Sequence, residues 1–234
     1  MEILVHLYHA EQTTYVIALI GLFGFIAFWR VLNGGKATME KVTDTAGTAV
    51  KRLVFHAPSD LLFHPGHAWA RVEDTGIVTV GMNDFAAKLL GSADSISLPK
   101  VGSQVKQGSL GWGFKTDSRV IHMLSPIQGE VVAVNDKVAN SPAAAFADPY
   151  GDGWIFRVKS SDLTSNMKNM IPGGIAWKWF DNIGQTLAAL GASQGAASMY
   201  EEGGAPALGI AKAVDPEGWD DLARRFFLTK GELF

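Results

Sequence analysis

Between Thr13 and Trp29 the sequence carries no charged side chain. A backbone in hydrocarbon must satisfy its own hydrogen bonds, so a run of this kind is compatible with a helix and little else. Continued through Arg30 to Leu32, it reaches nearly the ~20 residues that cross the apolar part of a bilayer. The reading is one transmembrane helix over residues 14–32, with Tyr15 and Trp29 at the two interfaces and Arg30 extending to the headgroups. A cleaved signal peptide is the rival reading, but it needs a positive amino-terminal region and a shorter apolar core. Residues 1–13 instead hold Glu2 and Glu11 and no Lys or Arg, whereas Arg30, Lys36, Lys41, Lys51 and Arg52 follow the span. The positive-inside rule therefore places residues 1–13 outside and everything after the span in the cytoplasm, a single-pass arrangement on the inner membrane.

Gly21 and Gly24, with Ala18 and Ala27, form a strip of small residues on this helix. A neighbouring helix can approach closely there, although such residues are common in membrane helices generally. His6 and His9 stand one turn apart just before the span and are read as interfacial polar residues, not ligands.

After a juxtamembrane linker, residues 33–54, the pattern changes to short alternating runs broken by Gly, Pro, Asp and Asn, which is the pattern of strands. Ala68 to Glu73 and Ile77 to Val80 flank Asp74, Thr75 and Gly76 as a hairpin. A short helix follows, capped by Asn83 or Asp84, with Phe85, Leu89 and Leu90 on one side. Further strands are expected near Ser95 to Leu98, Gly111 to Phe114, Val120 to Leu124, Gly129 to Ala133 and Trp154 to Lys159. Many short strands over a small core give a mainly β barrel or sandwich.

From about His64 to Leu163 the order of residues resembles the lipoyl-bearing glycine cleavage H-protein family. The resemblance is carried by His67 and Trp69, the turn at Gly76, Val80-Gly81-Met82 with Asp84 and Ala86, Leu90-Gly91, Leu98-Pro99, Val101-Gly102 and Gly108. It continues through Ser125-Pro126, Gly129-Glu130-Val131, Asn135, Pro142, Asp148-Pro149-Tyr150 and Gly153-Trp154. It implies a lipoyl-like barrel-sandwich hybrid over residues 55–165. It also implies a hairpin whose tip, in the family, presents a lysine flanked by acidic residues for attachment of lipoate. The stretch from Leu98-Pro99 to Ser125-Pro126 keeps the family's length, which puts Ser118 where that lysine belongs, with Lys115, Asp117 and Arg119 around it. A hydroxyl cannot form the amide that an amine forms, so the expectation is a degenerate, membrane-anchored member with no lipoyl cofactor. Lys115 lies three residues early, and an odd shift along a strand carries a side chain to the other face. It is the weak alternative site of modification.

Composition removes other chemistries. The chain has no cysteine, so disulfides, Fe–S clusters and thiolate sites are excluded. A net charge of -3 gives no footing for nucleic acid. No nucleophile triad, phosphate loop or dinucleotide fingerprint stands out, and the chain is read as no enzyme, with no small-molecule substrate and no metal. His67 is expected to be structural, His64 gains no partner from it, and His56 and His122 are isolated along the sequence.

Residues 166–192 are read as a C-terminal helical segment in which, after Pro172, Gly173 and Gly174, an amphipathic helix carries Ile175, Trp179, Ile183, Leu187 and Leu190 on one side, joined by Phe180 and Trp177. It covers the barrel or docks on a neighbour. The Gly- and Ala-rich tail, residues 193–234, has few apolar anchors before Trp219, Leu222, Phe226, Phe227, Leu228, Leu233 and Phe234, and is expected to be extended and held by other subunits. Gly21, Gly24, Trp177, Trp179, Trp219, Phe226, Phe227 and Phe234 are the candidate partner contacts. The functional expectation is a non-catalytic accessory subunit of a membrane-bound complex, electron-transfer assemblies being the favoured hosts. A periplasmic adaptor with a lipoyl-like domain, or a carrier modified at Lys115, is the alternative.

Overall fold

Alternating apolar and polar side chains on short segments can bury one face of each strand, and these segments close around a shared interior. The structure, a computed structural model, describes residues 53–73, 76–201 and 205–229. In chain order the strands are β1 (Leu62–Phe63), β2 (Ala68–Val72), β3 (Ile77–Met82), β4 (Ser95–Ser97), β5 (Gln104–Val105), β6 (Leu110–Thr116), β7 (Arg119–Leu124), β8 (Gly129–Val134), β9 (Phe156–Ser160) and β10 (Ile171–Pro172). The helices are α1 (Asp84–Leu90), α2 (Asp136–Asn140), α3 (Ala143–Ala147), α4 (Leu163–Lys168), α5 (Gly173–Ser193), α6 (Ile210–Val214) and α7 (Trp219–Phe226), with a 3-10 turn at Ala197–Met199. One sheet runs β10-β1-β2-β3-β9-β8-β5 and a second runs β4-β6-β7. The expected strands are all present, displaced at their ends by no more than two residues. The sheet-rich lipoyl-like domain is thus as the sequence implies. Among the described residues no helix is long and apolar enough to cross a membrane, and the expected span at residues 14–32, with Gly21 and Gly24, lies outside them.

The core gathers Phe63, Trp69, Phe85, Phe114 and Phe156, all fully buried. In the β2–β3 register Trp69 faces Gly81, and a Cβ on Gly81 would lie 2.6 Å from the indole ring, so only glycine leaves room for Trp69 there. The indole N–H is satisfied by the carbonyl of Pro149 at 2.9 Å. Asn83 caps α1, its side-chain oxygen accepting from Ala86 N–H, and Phe85, Leu89 and Leu90 are buried as expected.

Helix α5 buries Leu187 and Phe180 as expected, but the rest of its inward face is made of small residues the sequence does not mark as apolar anchors. Ala176, Phe180, Gly184, Leu187, Ala188 and Gly191 point inward, whereas Ile175 and Trp177 remain 59% and 58% exposed. The reason is close approach: a Cβ on Gly184 would lie 2.4 Å from the Leu53 carbonyl, so small residues, not large ones, define the contact line.

The tail is also not extended. Ile210, Ala211, Val214, Trp219, Leu222, Ala223 and Phe227 are buried in the same core as the sheets. At the hinge into α6, the Gly209 N–H donates to Lys88 O at 2.8 Å, tying α6 to α1. The expectation that Trp219 and Phe227 fill pockets in other subunits is therefore corrected: both are buried within their own chain. Their spacing and charges explain it. Trp219, Leu222, Ala223 and Phe226 recur at helical intervals, with Asp220 and Asp221 in the first turn of α7 and Arg224 and Arg225 in its last, as the helix dipole favours.

Candidate functional site: the β6–β7 hairpin

The hairpin that the sequence singles out is built by alternation. Phe114, Thr116, Ile121 and Met123 face inward and are buried, while Lys115, Asp117, Ser118 and Val120 are exposed. Phe114 meets Phe146 with ring centroids 5.1 Å apart, fixing the strand on the core. Across the strands Phe114 pairs with Ile121, Lys115 with Val120 and Thr116 with Arg119. That register leaves a two-residue loop. Asp117 and Ser118 both take left-handed backbone, at φ 49 and 66, the primed turn whose twist matches the flanking strands.

The tip is braced from one side by the β4 approach. Asp94 N–H donates to Lys115 O at 2.8 Å, and Asp117 N–H donates back to Asp94 Oδ2 at 3.1 Å. Thr116 Oγ1 donates to Ser92 O at 2.9 Å. Lys115 itself lies in the middle strand of its sheet, opposite Ser95 on one side and Val120 on the other. Ser118 is thus at the tip and Lys115 is not.

A lipoyl group does not fit these residues. Its attachment needs an amine at the loop apex, and the two apical side chains are a carboxylate and a hydroxyl. The other lysine near the tip, Lys212, is held by Asp117 with Nζ 2.5 Å from Oδ2.

The histidines are placed by packing. His67 is buried between Phe85 and Trp179, stacked on each with centroids 4.2 and 4.8 Å away. Asn83 Nδ2 is 3.1 Å from His67 Nδ1. Because the Asn83 oxygen already accepts from Ala86, its amide group donates to Nδ1, and the ring proton belongs on Nε2. Burial depresses the His67 pKa to about 3. His64 is also lowered by burial, and its Nδ1 accepts from Gly66 N–H at 3.0 Å. Trp179, expected at a partner surface, thus serves as a lid on His67, and Phe226 packs on Phe85 at 5.1 Å. Trp177 stays exposed, and Phe234 lies outside the described residues. Among the described residues no group of three His, Asp or Glu side chains is placed to hold a metal ion.

Residues 61–176 match the family model described as glycine cleavage H-protein. The glycine cleavage system H protein of Saccharophagus degradans is 40% identical over 105 residues, covering 45% of this chain and 81% of the relative. That of Shewanella denitrificans is 42% identical over the same shares. The chain belongs to the glycine cleavage H-protein family. A crystal structure of the H protein from Mycobacterium marinum, 30% identical, aligns over 44% of this chain and 86% of that one with a TM-score of 0.42. The family match ends at residue 176, so most of α5 and all of α6 and α7 lie beyond it.

The side chains that sequence reasoning missed lie beyond that match: Lys212, Asp220 and Arg224, which meet the hairpin from the tail. The alternation of acidic and basic residues along α7 marks it as a helix, but nothing local in the sequence couples it to residues a hundred positions earlier.

Proposed function

We propose that this chain is a non-catalytic, non-lipoylated H-protein-like subunit that acts through its shape and its neighbours. The observation that carries the reading is Ser118 at the apex of the β6–β7 turn, where the family's chemistry needs a primary amine. Without it the swinging acyl arm of a carrier has no point of attachment. Lys115 does not substitute, because it belongs to a central strand with neighbours on both sides.

The uncharged run from Thr13 to Trp29 and the basic residues after it support an inner-membrane anchor with the domain in the cytoplasm. The host we favour is a membrane-bound multi-subunit complex of the electron-transfer kind. Exposed Trp177 is the surface aromatic best suited to a partner. Purification of the tagged chain in mild detergent, with mass spectrometry of everything that follows it, tests this. Integral-membrane and redox subunits in stoichiometric amount are the expected result. A chain recovered alone from the soluble fraction overturns it.

A further inference from the structure

The tail reaches the hairpin at three positions around its tip. Asp117, the first turn residue, is bridged by Lys212 of α6 at 2.5 Å. Arg119, the first residue of β7, forms an ion pair with Asp220 of α7 and donates to the Glu217 carbonyl at 2.8 Å. The Val120 carbonyl accepts from Arg224 at 3.4 Å, and Arg224 in turn holds Asp220 at 2.8 Å.

The Lys212–Asp117 bridge faces solvent, but the contacts at Asp220 are not loose surface pairs. The Asp220 side chain is only 16% exposed and is shared by two arginines. The Trp219 ring, buried in the core, underlies both cations, with Arg119 5.7 Å and Lys212 5.1 Å from its centroid. Isolated exposed ion pairs are worth little, but a network seated on a buried aromatic fixes its members in one geometry. Behind it, Leu222, Ala223 and Phe227 fasten the tail to the sheets. Ser118 is left exposed at the apex while the groups beside and after it are committed to the chain's own last two helices.

We propose that α6 and α7 form an intramolecular clasp on the β6–β7 hairpin, which closes the flank of the tip to any enzyme that would grip it to modify residue 118. The clasp rests on the reading of Ser118 as a former lipoyl position, and adds a second barrier to the missing amine: restoring the lysine alone does not restore a carrier. Its occupant is residues 209–226 of the same chain, and its specificity comes from Asp117 and Arg119, opposite charges on the two sides of Ser118 that are met by Lys212 and Asp220.

The test uses the full chain in detergent. Ser118→Lys is prepared alone and together with Lys212→Glu and Asp220→Lys, which set like charges against Asp117 and Arg119 without altering the hairpin. Each is offered to a lipoate–protein ligase with ATP and free lipoate. The ligase joins lipoate to ATP as an acyl adenylate with loss of pyrophosphate, the lysine amine attacks the acyl carbon, the amide forms as AMP leaves, and intact mass reads the product. The triple variant is expected to be modified at least about tenfold faster than Ser118→Lys. Equal rates overturn the clasp. Amide hydrogen exchange on Lys212→Glu/Asp220→Lys reads the contact independently of the ligase. Exchange at residues 117–120 and across α7 is expected to speed up at least about tenfold, and unchanged exchange overturns the proposal whatever the ligase does. A wild-type chain found lipoylated at Lys115 would instead contradict the non-carrier reading, leaving the exchange result to judge the clasp.

Discussion

Thr116 and Arg119 stand opposite each other as the last paired residues of the β6–β7 hairpin, so that Asp117 and Ser118 alone make the turn. Both adopt positive φ, which non-glycine residues reach only at a cost of roughly 1–2 kcal/mol each. Glycine at 118 removes that cost but adds backbone freedom to the unfolded chain, about 0.5–1 kcal/mol in the other direction. Ser118→Gly is therefore expected to stabilise the domain by about 0.5–1 kcal/mol in denaturant melts, whereas Ser118→Pro, which cannot reach φ 66, lowers stability sharply.

His67 links stability to acid. Its folded pKa, about 3, lies below the unfolded value of 6.5, so the unfolded chain takes up a proton that the native chain refuses. The stability associated with neutral His67 is complete above pH 6.5 and is lost as pH falls towards 3. The expected slope from one such group is about 1.4 kcal/mol per pH unit. His64, also lowered, adds to it in the same direction. His67→Asn, which tolerates the left-handed backbone at φ 65, is expected to be less stable at neutral pH. Between pH 6.5 and 5 its stability should fall with one proton's slope less than the wild type. An unchanged slope would refute the buried neutral imidazole.

Two glycines of α5 should respond oppositely to alanine. Gly184 has the Leu53 carbonyl 2.4 Å from where a Cβ would stand, so Gly184→Ala is expected to cost about 1–3 kcal/mol through overpacking. Gly174 has open space around it and belongs to the same helix, so Gly174→Ala should gain up to about 1 kcal/mol from helix propensity. Thermal or chemical denaturation of the two single variants is sufficient.

The aromatics divide by where their surface goes. Trp219→Ala or Phe227→Ala empties a buried site and should cost about 3–5 kcal/mol. Trp177→Ala, at a position 58% exposed, should change stability by less than about 0.5 kcal/mol. If Trp177 faces a partner subunit, the same variant lowers the amount of that subunit recovered with the chain, a loss that denaturation does not register.

The sequence displays its strands because alternation and turn residues are local. A cap at Asn83 or Asp84 and the inward Phe85 could be read directly, and the resemblance to the H-protein family placed Ser118 at the apex of the β6–β7 hairpin. The small residues on the buried face of α5 could not, because hydrophobicity ranks Ile175 and Trp177 above Ala176 and Gly184, whereas close backbone approach selects the small residues. In the tail, the density of Gly and Ala hid a helical spacing from Trp219 to Phe226 that was present all along. The contact of Arg119 with Asp220 spans 101 positions and has no local signature in either segment.

Intact-mass measurement of the chain purified from the cells that make it tests the central claim most directly, since a lipoyl amide changes the mass and a bare serine tip does not. The unmodified mass, with the peptide spanning Lys115 to Arg119 recovered free of any adduct, is the expected result. A lipoyl adduct anywhere on that peptide would contradict the account.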